Sequence, residues 1–259
     1  MRIEVQPDWW KTLFDEIYLI TDARSVCNEE LTAKEVDLIC RLIPVQPNHN
    51  ILDLCGGHGR HSLEFCRRGF THCTVFDFSQ ILLAIGARRA DQSNLPVAFV
   101  RGDARNIDLP SASYHHVLIM GNSLGYAAEP GADLEILIEA RRLLAKGGWI
   151  LIDVADGGAV QAHFNPRAWH EIGDDMVVCR RRELQDGVIR AREMVLNKTS
   201  GLVRDQTYAI RYYTSETLSR LVSEAGFSNV QVQQNLSPDT GDEDLGFMDH
   251  RMVVTARKP

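Results

Sequence analysis

Asn50-Ile51-Leu52-Asp53-Leu54-Cys55-Gly56-Gly57-His58-Gly59-Arg60-His61-Ser62 decides the fold of this chain. An apolar run ends in an acid, a glycine-rich turn follows, and His61 to Arg68 then takes helical spacing. Glycines in such a turn let the backbone approach a ligand and adopt positive φ without steric cost. The helix behind the turn presents unpaired N–H groups to whatever sits there. The combination is a nucleotide-type site. A dinucleotide fingerprint, G-x-G-x-x-G, needs a third glycine where this chain has Ser62. A NAD-type strand also commonly opens its domain, and here about fifty residues come first.

Outward from the turn, strand-like and helical segments alternate. Strands are expected at Ile51 to Leu54, Cys73 to Phe78, Val97 to Arg101, His116 to Met120 and Trp149 to Val154, with helices at Gln80 to Ala90 and Leu134 to Ala145 between them. Short strands joined by helices build a mainly parallel sheet covered on both faces. Ligands of such sheets bind beyond the carboxyl ends of the strands, where the winding reverses. Upstream, residues 7–20 and 29–43 carry helical stripes, with Thr32 and Glu35 spaced as a capping box. Residues 1–48 are therefore expected to form a helical cap, and residues 49–259 the ligand-binding domain. Downstream, Met176 to Leu184, Val188 to Leu196 and Arg204 to Tyr213 are β-rich runs around the turn signals Asp186-Gly187 and Ser200-Gly201. They predict an antiparallel insert at about 174–213. A helix from Ser215 to Ala225 and strands near Val230 to Gln234 and Met252 to Ala256 complete the pattern.

Composition narrows the partners. The chain has 259 residues and a net charge of −7, so no general attraction for nucleic-acid phosphates is expected. The arginines at 180–182, 190 and 192 read as a solvated strand face. Six cysteines without disulfide spacing, no export signal and no apolar run of membrane length fit reduced thiols in a cytoplasmic protein without a membrane partner. Cys55, His58, His61 and Cys66 do not make a zinc site, because the open glycine turn keeps them from converging, and no metal is expected.

Five segments in order carry a resemblance. Asp53 to Gly59 is an acid followed by a glycine-rich turn, with Cys55 where a first glycine is usual. Val75-Phe76-Asp77-Phe78-Ser79 puts an acid at a second strand end. Gly102-Asp103-Ala104 follows the third strand, Met120-Gly121-Asn122-Ser123 the fourth, and Leu144-Ala145-Lys146-Gly147-Gly148-Trp149 gives an L-x-x-G-G turn before the fifth. Together they resemble the class I S-adenosylmethionine-dependent methyltransferases, by motif over about 30–155 and by element order to the C-terminus.

The resemblance implies an α/β fold: a Rossmann-like, seven-stranded, mostly parallel sheet with helices on both faces, plus the antiparallel insert as a lid. It implies S-adenosylmethionine as cofactor and S-adenosylhomocysteine as product. Cys55, Gly56, Gly57, Gly59, Gly121 and Asn122 would then face the methionine end of the cofactor, and Asp53, also in the cofactor site, would orient the glycine turn, directly or through water. Asp77 would accept from the ribose hydroxyls, Asp103 and Ala104 would bind adenine, and Phe78 would pack on its face. Methyl transfer needs mainly alignment and a dry pocket, and a base only when the nucleophile arrives protonated. No universal catalytic residue follows; Asn122 and Tyr126 are the candidates beside the methyl group. Tyr18, Tyr126, Arg211 and Tyr212 are candidate substrate contacts, with Trp9, Trp10, His163, Trp169 and His250 as further possibilities.

The segment after the fourth strand lacks the paired prolines of an N-P-P-Y motif and the acid of aminopropyl transferases. A small-molecule acceptor is therefore expected, with no nucleic acid favoured, for a monomer or homodimer. Non-methyl chemistry on the same cofactor, such as its cyclisation, and a binding protein without turnover stay open as alternatives.

Overall fold

The computed structural model describes residues 2–236 and 246–259. Its centre is a seven-stranded sheet in the order β10-β11-β5-β4-β1-β2-β3. The strands are β1 (Ile51–Leu54), β2 (Cys73–Asp77), β3 (Val97–Arg101), β4 (Tyr114–Ile119), β5 (Leu144–Ala155), β10 (Ser228–Leu236) and β11 (Arg251–Arg257). Strands β1 to β5 run parallel, while β11 pairs antiparallel with both β5 and β10. The sheet reverses its winding between β1 and β4, so the crevice beyond their carboxyl ends is the expected ligand position.

Successive strand residues face opposite sides of a sheet, and both sides here are apolar. Leu52, Leu54, Val117, Ile119 and Ile152 belong to one buried cluster, and Ile51, Leu118, Leu151 and Val253 to the other. Helices α4 (Glu29–Leu42), α5 (Arg60–Arg67), α6 (Gln80–Gln92), α7 (Ala132–Leu143) and α9 (Ser215–Glu224) connect the strands or pack around them. Between β5 and α9 lie α8 (Gly157–Ala162) and a separate sheet in the order β6-β7-β8-β9. Its strands are β6 (Arg167–Ile172), β7 (Met176–Gln185), β8 (Val188–Asn197) and β9 (Gly201–Arg211), all paired antiparallel. No helix of the described residues is long and apolar enough to cross a membrane.

Three sequence expectations change. The insert begins at Arg167, not near 174, and has a fourth strand. Strand β6 hides in the sequence because His170 occupies a position on its half-buried face where an apolar residue would have marked the alternation. The helix over 7–20 is split into α1 (Trp10–Leu13) and α2 (Glu16–Thr21), followed by α3 (Ala23–Val26). Asp15 causes the break: its side chain accepts from the Ile17 and Tyr18 amides at 2.9 and 3.1 Å and caps α2. Finally, α4 is capped by Asn28, which accepts from the Leu31 amide, so Thr32 and Glu35 form no capping box. Glu35 is buried and has a different task.

Candidate active site

An open cavity lies at the carboxyl ends of β1 to β4. Asp53, Cys55, Gly56, Gly57, Asp77, Phe78, Asp103, Ala104 and Gly121 line it, together with Tyr18 and Tyr126. The glycine turn owes its shape to close contacts. A Cβ on Gly56 would stand 2.6 Å from the Asp53 carboxyl carbon, and one on Gly102 would stand 2.4 Å from the Phe76 ring. Cys55 occupies the left-handed region at φ 58°, a conformation that glycine adopts freely and a side chain adopts at a cost. The thiol therefore stands in a backbone position shaped for glycine. Burial, with Asp77 and Asp53 nearby, pushes its pKa up and keeps it neutral.

Asp53 is fully buried, and Ser62 donates to its Oδ2 at 3.2 Å. The residue in the place of the third glycine is thus the acid's hydrogen-bond donor. Asp53 Oδ1 has no partner, and burial raises its carboxyl pKa. Asp77 accepts from the Gly57 amide at 2.8 Å and the Ser79 amide at 2.7 Å, so it fixes the turn while keeping further acceptor capacity on each oxygen. Gly59 lies outside the lining: its missing Cβ makes room for Val75 and Phe99 where α5 packs on the sheet.

Asp103 is engaged by Arg105, whose Nε and Nη2 reach its two oxygens at 2.9 and 2.6 Å and hold its pKa down. Arg105 also lies over the Trp10 ring at 5.4 Å, and Trp10 meets Phe78 edge-on at 4.7 Å. Arg105 and Phe14 both line the cavity and were not singled out from the sequence. The alternation of acid and base in Asp103-Ala104-Arg105 was the available signal for the first.

The other end of the cavity is aromatic. Tyr126 packs against Phe14 at 5.4 Å and Trp9 at 5.6 Å, and Phe14 meets Tyr18 at 5.1 Å. Trp9 sits behind this wall and also touches Tyr208 of the inserted sheet. Burial raises the pKa of both Tyr18 and Tyr126, so both phenols stay protonated. Asn122 lies outside the lining; it adopts φ 63° and accepts from the Ala155 amide at 3.0 Å.

Arg211 and Tyr212 are not brought to the cavity lining. Arg211 pairs with Asp133 and donates to the Ala127 carbonyl at 3.1 Å, so it pins the loop that carries Tyr126. The Tyr212 phenol accepts from Gln161. Trp169 is 70% exposed on the inserted sheet, and His163 and His250 stack on each other away from the cavity.

Beneath the site is a charge network that the sequence did not reveal. Glu35 accepts from Arg60, from His61 at 2.8 Å and from Arg251 at 2.5 Å. Burial opposes its charge, but these three partners outweigh burial and hold its pKa well below the usual range. Arg251 also pairs with Asp153, and Asp153 accepts from the Gly121 amide at 3.0 Å. Residues from α4, α5, β5 and β11 thus hold the loop after β4.

Residues 51–148 match the family described as "Methyltransferase domain". The match falls on the segment that carries the glycine turn and the L-x-x-G-G turn. Over these residues the chain is similar to methyltransferase domains. The ubiquinone/menaquinone biosynthesis C-methyltransferase UbiE of Rhizobium etli (strain CIAT 652) is 30% identical over 111 residues, covering 41% of this chain and 42% of that protein. The chain thus spans about two fifths of the length of that curated relative. Among solved structures, an S-adenosylmethionine-dependent methyltransferase from Clostridium acetobutylicum ATCC 824 superposes with a TM-score of 0.72 at 13% identity, over 93% of this chain and 96% of that one. CalS10 with bound SAM, described as an amino pentose methyltransferase from Micromonospora echinaspora, gives 0.66 at 19% identity, over 94% and 98%. At such identities these likenesses establish the shared fold, with its mostly parallel sheet.

Proposed function

We propose that the chain is an S-adenosylmethionine-dependent methyltransferase acting on a small-molecule acceptor. The observation that carries this reading is one cavity with two unlike ends: strand-end acids around a glycine turn, facing an aromatic wall. The residues fit the cofactor. Asp77 has acceptor capacity for two hydroxyls. Asp53 Oδ1 is a buried acceptor without a partner. Phe78 offers a ring for adenine, and Asp103 and Ala104 offer polar partners. The small-molecule character of the acceptor rests on the enclosed aromatic end and on the likeness to an amino pentose methyltransferase.

When bound, the cofactor supplies an electrophilic methyl group on a sulfonium sulfur, which a nucleophile displaces in line. The chain's own residues then align and exclude water. Tyr18, Phe14 and Tyr126 form a dry wall at the acceptor end, where neutral phenols offer hydrogen bonds but take no proton. Arg211 with Asp133 steadies the loop that carries Tyr126. Residues 1–48 act as a cap that delivers Trp10, Phe14 and Tyr18 to the cavity.

A ligand that binds only the native state raises the unfolding midpoint. S-Adenosylmethionine and S-adenosylhomocysteine are expected to raise it, and NADH is not. Turnover with an accepted substrate is expected to release S-adenosylhomocysteine. Absence of any shift with both sulfur ligands would overturn the proposal.

A further inference from the structure

Arg105 touches three separate parts of the cavity wall. Its amide donates to Asp103 Oδ1 at 3.0 Å, its Nε to the same oxygen at 2.9 Å and to Oδ2 at 3.2 Å, and its Nη2 to Oδ2 at 2.6 Å. Its Nη1 lies 3.2 Å from Glu129 Oε2, on the β4–α7 loop that also carries Tyr126. Its guanidinium stands 5.4 Å from the centre of the Trp10 ring, on the N-terminal segment. Trp10 Nε1 is buried without a partner, so no hydrogen bond from the indole secures that ring at the cavity. A carboxylate offers about four acceptor positions, and the contacts from Arg105 take two on each oxygen of Asp103. An adenine amino group can therefore reach Asp103 only by displacing part of the Arg105 side chain.

On the reading of the cavity as an S-adenosylmethionine site, we propose that Arg105 is a relay that couples occupation of the adenine end to closure of the acceptor loop. When an adenine amino group donates to Asp103, the Arg105 side chain gives up that carboxylate and turns its freed N–H groups to Glu129. A single contact is then replaced by the two-bond fork that guanidinium and carboxylate favour. The exchange costs little, because the side chains of Arg105, Asp103 and Glu129 are 22%, 34% and 55% exposed, and partly exposed ion pairs are worth little net. The backbone has no need to move: the Arg105 amide keeps its bond to Asp103, and the Asn106 amide donates to the Asp103 carbonyl at 3.0 Å. The first half of the loop is already held, through Asp133 at the Gly125 amide and Arg211 at the Ala127 carbonyl. Beyond Ala127, the Arg105–Glu129 pair ties the loop to the adenine side. A chain loaded with cofactor thus presents a firmer Tyr126 to the acceptor, which puts cofactor binding before acceptor binding.

Hydrogen exchange read by mass spectrometry tests the relay on the full chain without an acceptor, alongside calorimetric titration of S-adenosylhomocysteine and circular dichroism to verify folding. In the wild-type chain, S-adenosylhomocysteine should slow exchange across residues 124–131 at least about fivefold. Arg105→Gln and Glu129→Gln should each still bind the ligand and lose that protection. Asp103→Ala should bind it more weakly and yet protect residues 124–131 with no ligand present, because Arg105 is then released to Glu129. A merely structural ion pair predicts the opposite, a looser loop. Protection that survives both Arg105→Gln and Glu129→Gln overturns the relay, and so does a looser loop in Asp103→Ala. A wild-type chain that gives binding heat without loop protection overturns the relay and leaves the cofactor reading standing. A wild-type chain with neither binding heat nor a thermal shift overturns both.

Discussion

The proposed cofactor end and the proposed acceptor end of the cavity are built by different means. At the cofactor end, short segments of one fold unit supply backbone geometry and acids: the Gly56-Gly57 turn, Asp53, Asp77 and Asp103 all follow parallel strands. At the acceptor end, side chains from distant stretches meet, with Phe14 and Tyr18 from the N-terminal segment, Tyr126 from the β4–α7 loop and Tyr208 behind them from the inserted sheet. The first end depends on where the backbone is held, and the second on which side chains are presented. Changes at the first should therefore abolish binding or folding. Changes at the second should retune the choice of acceptor.

The largest effect should come from the network beneath the cofactor end. Glu35→Ala leaves Arg60 without its carboxylate partner and Arg251 with Asp153 alone, and removing one partner of a buried charge cluster costs about 3–5 kcal/mol. At about 2–4 °C per kcal/mol for a chain of this size, the midpoint should fall by roughly 10 °C. A midpoint within about 2 °C of wild type would mean that the cofactor end does not rest on this network. Asp77→Ala should follow. It removes the acceptor for the Gly57 and Ser79 amides and the proposed ribose contact, so S-adenosylhomocysteine affinity should fall by about 2–4 kcal/mol, roughly 30- to 700-fold. Calorimetric titration measures that directly.

Acid should cost a comparable amount of stability. His58 and His116 are buried and lowered to about 3, burial being the chief cause, against an unfolded value near 6.5. Between those values the unfolded chain binds more protons, so stability is lost as pH falls below about 6.5. By pH 5.5 the pair should have cost about 3 kcal/mol, read as a lower urea midpoint than at pH 7.5. An unchanged midpoint would show that these imidazoles do not stay neutral in the fold. The smallest effect belongs to the acceptor end. Tyr126→Phe removes the phenol offered to the proposed acceptor, a hydrogen bond worth about 1 kcal/mol, so acceptor KM or kcat should change about fivefold while cofactor affinity stays within about twofold. Loss of cofactor affinity in that variant would erase the division between the two ends.

The same division explains what could be read in advance. Asp53, Asp77, Asp103 and the glycines are local signals: an acid or glycine at a strand end says what it does within five residues of context. The alternation of strands and helices followed from similar local spacing, while the order of the strands emerged only with the fold. Glu35 was misread because its spacing from Thr32 mimics a cap, whereas its partners lie 25, 26 and 216 residues away. Arg211 and Tyr212 were sensible guesses for a lid, but Arg211 is used by Asp133 and Tyr212 by Gln161. Such long-range pairings are set by how the insert and the cap dock onto the sheet, and no periodicity records that. Cys55 is an intermediate case: its place in the turn was legible, while its left-handed backbone emerged only with the fold.

The Glu35–Arg251–Asp153 linkage has a consequence for the order in which the molecule can be made. During synthesis the parallel strands that carry the glycine turn leave the ribosome early, at about 5–20 residues per second. Strand β11, which brings Arg251 between β5 and β10, emerges more than a hundred residues after the turn. Until it docks, Glu35 and Asp153 lack their shared cation, and the Gly121 loop lacks its completed support. A nascent chain with every nucleotide-binding motif already outside the ribosome should therefore still be unable to close its site.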